Sequence, residues 1–187
     1  MPVKMIDTNL PGVVIIESDL YTDQRGFFRE LYNRKKYEEA GFTRQFVQDN
    51  HSHSKKSVLR GLHYQLKQQQ GKLVTVITGE IYDVAVDIRK GSPTFGKWMG
   101  VHLSDKENKQ LFIPEGFAHG FCVLTQTADV HYKCTDLHLQ GGEYGVLWSD
   151  PGVGIEWPIS DVLVSHKDQN APLLEDIPQV HLPDYKG

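Results

Sequence analysis

The chain has 187 residues, 39% hydrophobic and 24% charged, a balance that excludes a disordered chain and suits one compact domain. Its net charge is −4 and its longest basic run is the three residues Arg34-Lys35-Lys36, with Glu38-Glu39 close behind, so a nucleic-acid partner is not expected. No apolar run approaches the ~20 residues needed to cross a bilayer, so no membrane partner is expected either.

In chain order, strand-like runs fall at residues 13–17, 26–31, 46–50, 58–65, 72–78, 81–89, 98–103, 109–113, 120–124 and 128–134. Short strands at such close spacing point to an all-β sandwich or barrel. After the second run, Asn33 is placed to cap a helix over 34–40, and Gly41 to stop it. The runs 72–78 and 81–89 read as a hairpin turning at Gly79-Glu80. Within the second of them, Tyr82, Val84, Val86 and Ile88 share one parity, opposite Asp83, Ala85 and Asp87. That is the mark of a strand with two unlike faces. From Asp150 the chain is rich in Pro and Gly and carries Trp157, Leu163, Leu173 and Leu174. This tail is expected to wrap the barrel, leaving residues 1–187 as a single domain. The opening Met1-Pro2-Val3-Lys4-Met5-Ile6-Asp7 lacks the apolar stretch of a secretion signal, so a cytoplasmic chain is expected. Cys122 and Cys134 then read as reduced, buried thiols, and without a C-x-x-C spacing they do not form a zinc site.

Three segments carry polar side chains inside apolar runs: residues 58–65, with Arg60 and His63; 70–74, with Lys72; and 112–121, with His119. Burying Arg, Lys or His costs several kcal/mol unless each is partnered, so strands that carry them inward usually line a ligand site. Taken singly, His63 is more often a hydrogen-bonded core or surface residue, and Arg60 and Lys72 are more often solvated cations. Only the combination points to a site. Arg60 and His63 stand three apart, on opposite faces by strict alternation, and a bulge at Gly61 would bring both to one side. Pro114-x-Gly116-x-x-His119 matches the second motif of cupins, in which the histidine opens a strand and points into the barrel. The metal-binding set of that superfamily is not formed at its usual spacing. Gln65 stands where a second histidine would follow His63, and His51-Ser52-His53 has no carboxylate close behind. No metal is expected.

With these segments in view, the chain resembles the dTDP-4-dehydrorhamnose 3,5-epimerase family from residue 13 to about 174. Beyond the three segments, the resemblance rests on Asp23-Gln24-Arg25-Gly26-Phe27-Phe28-Arg29-Glu30, Phe46-Val47-Gln48-Asp49-Asn50, Tyr132-Lys133-Cys134-Thr135, Trp148-Ser149-Asp150-Pro151 and Lys167-Asp168. It implies a cupin-type jelly-roll β-barrel with a few short helices, a homodimer, no cofactor and a nucleotide-sugar substrate. It also implies His63 as the base, Asp168 as its partner, Tyr132 as the acid on the opposite face and Lys72 at the enolate oxygen. Arg60 and His119 become partners of the diphosphate or sugar, and Arg25, Glu30, Gln48, Asn50, Glu143 and Lys167 fall on binding positions. The chemistry asks for such a set. Protons on C3 and C5 are acidic only because the C4 carbonyl accepts charge, so a base, an electrophile at O4 and an acid across the ring are needed.

His138 stands where the family places a tyrosine that stacks on the nucleotide base, so it too belongs to the expected binding set. Thr75 replaces the arginine common after Gly71-Lys72-Leu73-Val74 and is expected as a surface change. The leading function is epimerisation at C3 and C5 of dTDP-4-dehydro-6-deoxyglucose. The alternatives are a single-centre epimerase of a related nucleotide sugar, a metal-dependent cupin and a non-catalytic sugar-binding cupin.

Overall fold

Side-chain alternation along these runs folds the chain into antiparallel strands; the structure, a computed structural model, describes residues 2–186. The strands are β1 (Val3–Asp7), β2 (Val14–Ser18), β3 (Tyr21–Asp23), β4 (Gly26–Phe28), β5 (Gln48–Lys55), β6 (Leu59–Gln65) and β7 (Lys72–Thr78). They continue with β8 (Glu80–Asp87), β9 (Trp98–Ser104), β10 (Lys109–Ile113), β11 (Phe117–Val123), β12 (Thr127–Cys134) and β13 (Glu143–Gly145). Helices α1 (Arg34–Glu39) and α2 (His166–Gln169) complete the set used below. One sheet runs β1-β2-β10-β7-β12-β5, the other β13-β6-β11-β8-β9, and β3-β4 stands apart as a hairpin. The central orders β5-β12-β7-β10 and β6-β11-β8-β9 are the two layers of a jelly roll, so the all-β expectation holds.

Between the layers, Val74, Val76, Leu111 and Val130 of the first sheet meet Ile81, Ala85, Phe117 and Phe121 of the second, all buried. Each large side chain so buried stabilises the fold by roughly 1.5–3 kcal/mol. On the outer face of the first sheet, Ile16, Leu73 and Phe112 are covered by Tyr37 of α1 and by Phe42. The helix starts where the sequence places it: Asn33 Oδ1 accepts from the Lys36 N–H at 3.3 Å, and Gly41 follows the helix at φ +94°. The same cover corrects the expectation for Thr75, which is 1% exposed. Its Oγ1 accepts from the Gln110 amide, which also donates to Leu31 O, so this outer face is an interior layer and not a surface.

The expected hairpin of β7 with β8 is not formed. Strand β7 pairs with β10 and β12, whereas β8 pairs with β11 and β9 in the other sheet. Gly79-Glu80 carries the chain from one layer to the other, fixed by Gly79 N–H to Asp105 Oδ2 at 2.8 Å and Glu80 N–H to Thr125 Oγ1 at 2.9 Å. Two apolar strands joined by a short turn have the same sequence pattern whether they lie side by side or face to face.

Both faces of β8 are used. Ile81 and Ala85 face the barrel interior, while Val84, Val86 and Ile88 face outward and are covered by Val153, Leu174, Ile177 and Leu182. The C-terminal segment is pinned by its backbone as well, through Leu59 N–H to Leu163 O at 2.9 Å and Leu163 N–H to Ser57 O at 2.7 Å. Among the described residues, no helix is long and apolar enough to cross a membrane.

Candidate active site

The pairing of β6 with β11 sets His63 opposite His119 but Arg60 opposite Phe121, three steps against two. The extra residue is a bulge at Gly61, which has φ +125°. A Cβ there would sit 2.6 Å from Gly120 Cα and 2.7 Å from His119 O, so only glycine fits. As the spacing predicted, Arg60 and His63 come to one side, where both line a cavity of about 300 Å³ between the sheets. The second sheet gives this cavity Arg60, His63, His119 and Glu143; the first gives Gln48, Asn50, Lys72 and Tyr132. His63 and Tyr132 therefore stand on opposite walls, with Lys72 on the tyrosine's side.

His63 Nε2 lies 2.7 Å from Asp168 Oδ1, which leaves Nδ1 as the free ring nitrogen, 3.9 Å from Glu143 Oε1. Asp168 is held on α2, whose Ser165 cap accepts the Asp168 N–H at 3.1 Å, while Gly61 N–H reaches Oδ2 at 3.4 Å. Burial opposes ionisation of Asp168, but the hydrogen bonds from His63, Gly61 and Ser165 outweigh it and hold the carboxyl below its ordinary value. Burial likewise pushes the Tyr132 hydroxyl above its ordinary value, with Cys134 and Glu143 adding to the effect and Arg60 opposing it, so at neutral pH it carries its proton. The Lys72 ammonium is pushed down by burial, against the pull of Cys134, Glu143 and Asp83. His119 is buried with Nε2 2.7 Å from Asp83 Oδ1, and burial, reinforced by Lys72 and His63, drives its pKa down against that carboxylate. Among the described residues, no group of three or more His, Cys, Asp or Glu side chains is disposed to hold a metal ion.

A carboxylate-held histidine facing a protonated tyrosine across a cationic cavity is built for moving protons. The model of the dTDP-4-dehydrorhamnose 3,5-epimerase family matches residues 7–176. The chain belongs to that family. It is 54% identical over 175 residues to the dTDP-4-dehydrorhamnose 3,5-epimerase of Shigella flexneri, covering 92% of this chain and 97% of the relative. Its structure is similar to that of a dTDP-6-deoxy-D-glucose-3,5-epimerase from Legionella pneumophila in complex with dTDP-4-keto-L-rhamnose, with TM-score 0.95 and 51% identity over 99% and 100% of the two chains. It is also similar to a 3'-monoepimerase from Streptomyces bikiniensis in complex with dTDP-quinovose, with TM-score 0.89 and 31% identity over 95% and 92%.

Of the positions matched to the dTDP-4-dehydrorhamnose 3,5-epimerase family, His63, Lys72, Tyr132, Gln48, Asn50, Arg60, His119, His138 and Glu143 line the cavity. Asp168 stands behind His63, and Lys167 donates to Glu143 from the rim. Gln48 Oε1 accepts the His138 N–H at 2.8 Å, fixing the loop that carries His138. Gln65, which stands where a metal cupin would have histidine, donates to Gln68 O and Leu137 O and accepts from Leu139 N–H, so its amide staples that loop. Two expected positions lie elsewhere. Arg25 sits on the exposed β3–β4 hairpin, paired with Asp23 at 2.6 Å, and Glu30 pairs with Lys36 at 2.9 Å. The sequence reading missed Asp83, Ser52 and Phe121. In the sequence Asp83 only shares a parity with Ala85 and Asp87, and the fold decides that this parity faces inward.

Proposed function

We propose that the cavity epimerises a dTDP-linked 4-keto-6-deoxyhexose at C3 and C5, converting dTDP-4-dehydro-6-deoxyglucose to dTDP-4-dehydrorhamnose through an enolate. The observation that carries this is His63, held by Asp168 at 2.7 Å, across one cavity from a protonated Tyr132 with Lys72 beside it, in a chain of this family. His63 takes the proton from the carbon next to the C4 ketone, and the electron pair moves onto O4, where the Lys72 ammonium meets the developing charge. Tyr132 returns a proton on the other face, which inverts the centre. With Nε2–H donated to Asp168, the basic atom is Nδ1, and the carboxylate stabilises the imidazolium that forms. Arg60, Gln48, Asn50 and the Glu143–Lys167 pair hold the nucleotide diphosphate and sugar, and His138 stacks on the base.

Incubation with dTDP-4-keto-6-deoxyglucose in deuterated water, read by NMR of the sugar, tests the reading. Deuterium at both C3 and C5 is expected. Label at one carbon only makes the chain a single-centre epimerase, the reading that its likeness to a 3'-monoepimerase favours. No label at either carbon refutes both.

In this reading the protein is a homodimer. Arg25 and Glu30 lie outside the cavity of their own chain, and the hairpin beside them exposes Tyr21, Phe27 and Phe28, the last 67% exposed. An apolar patch of that kind marks an interface. A second copy covers the hairpin, which delivers Arg25 and Glu30 to the partner's cavity. The chain works as one domain, and its free, buried Cys122 and Cys134 accord with a cytoplasmic setting. Proton transfer of this kind asks for no cofactor.

A further inference from the structure

Asp83 has no part in the mechanism above, yet it is a carboxylate with 0% exposure on the inward parity of β8, between Ile81 and Ala85. Its Oδ1 lies 2.7 Å from His119 Nε2, and its Oδ2 has no hydrogen-bond partner. A buried carboxylate oxygen left unsatisfied in a native fold calls for a reason. The register sets His119 directly between His63 on β6 and Ala85 on β8. Asp168–His63 and Asp83–His119 are thus two carboxylate–imidazole pairs side by side on one wall. Lys72 projects from the other wall, and the charged or titratable groups acting on it are Asp83 from β8, Glu143 from β13, Cys134 from β12 and His119 from β11.

We infer that Asp83 is a positioning residue of the reaction: its Oδ1 fixes His119 in the tautomer that offers an unprotonated Nδ1 to a sugar hydroxyl. The inference rests on the function proposed above. An ionised carboxylate only accepts hydrogen bonds, so the His119 proton sits on Nε2. Burial disfavours a second proton on the ring, and Lys72 and His63 disfavour it further. Nδ1 is then an acceptor, which suits a hydroxyl and repels a diphosphate oxygen. His119 therefore contacts the sugar, not the diphosphate.

Two measurements test this. In substrate-free wild-type enzyme with nitrogen-15-labelled histidine, NMR should show His119 with its proton on Nε2 and a bare Nδ1 from about pH 6 to 8. A proton on Nδ1 overturns the inference whatever the substrate proves to be. In Asp83→Asn, the amide can donate to His119 and favours the other tautomer. We expect kcat to fall about 100-fold, with KM within about threefold of wild type. Unchanged dTDP binding and melting temperature verify the fold of the variant. A folded variant that keeps kcat overturns the inference, and if the variant does not fold, the wild-type tautomer decides alone. Failure of wild-type enzyme to label either carbon overturns the function and leaves the tautomer result standing.

Discussion

His63 acts as a base only while its imidazole is neutral and one ring nitrogen is free, and the bond to Asp168 commits the other. His63→Ala is expected to lower turnover about 1000-fold, within the range for removal of a general base. dTDP should still bind, because Arg60, Gln48 and Asn50 are untouched; calorimetry with dTDP and deuterium exchange read the two effects separately. Tyr132→Phe should behave differently. Proton removal by His63 continues, so deuterium enters the sugar, but return from the far face fails and inversion lags behind exchange. Exchange and inversion falling in parallel would show that Tyr132 is not the acid. His63 and Lys72 were legible through the combination of polar segments inside apolar runs, and Tyr132 only through the resemblance to the family. Asp83 was not. In β8 it alternates with apolar neighbours, which is what a solvent-facing acid on a half-buried strand looks like, and only the second layer of the fold shows that this face points inward.

At the scale of elements, strands whose inner and outer faces differ in polarity were legible, and β7 and β10 have the bounds the spacing gave. Strand β5 was caught only at its start. From Gln48 to Lys55 every residue is polar, because one face lines the polar cavity and the other meets solvent, so hydropathy carries no period there. The short strands β3 and β13 have too few residues to show one. The C-terminal wrap was legible in its apolar residues, and its energetics can be tested. Leu182 is 3% exposed against the outer face of the second sheet, opposite the cavity. Leu182→Ala should cost about 3 kcal/mol in urea unfolding, with kcat of the folded enzyme unchanged. The same contact is pH-sensitive. Tyr64 donates to His181 O at 3.0 Å, and burial pushes its pKa up to about 12 from an ordinary 10.0. A group whose folded pKa is raised contributes stability that is complete below its unfolded value and is lost as pH rises through the folded one. Wild-type urea midpoints should therefore fall between pH 10 and about 12, and Tyr64→Phe should flatten that fall. An equally steep fall in Tyr64→Phe would assign it to other buried groups.

At the scale of the whole molecule, one chain leaves two of its matched binding positions, Arg25 and Glu30, outside the lining of its cavity. Arg25 is held by Asp23 on an exposed hairpin, and the ring of Phe27 lies beneath Arg29 at 5.5 Å, so the hairpin is a built surface rather than a loose end. A dimer that exchanges hairpins makes each cavity from two chains, and this predicts complementation. Arg25→Ala has an intact His63 but a defective hairpin; His63→Ala has the reverse. Each variant alone should be weak, the first through a raised KM and the second through lost kcat. Mixed and allowed to exchange subunits at equal concentration, half the dimers are hybrid and one cavity in each hybrid is whole, so about a quarter of wild-type activity should return. Light scattering should give twice the mass of the 21.3 kDa chain throughout. Dimers that exchange without recovering activity would mean that Arg25 serves its own chain or none.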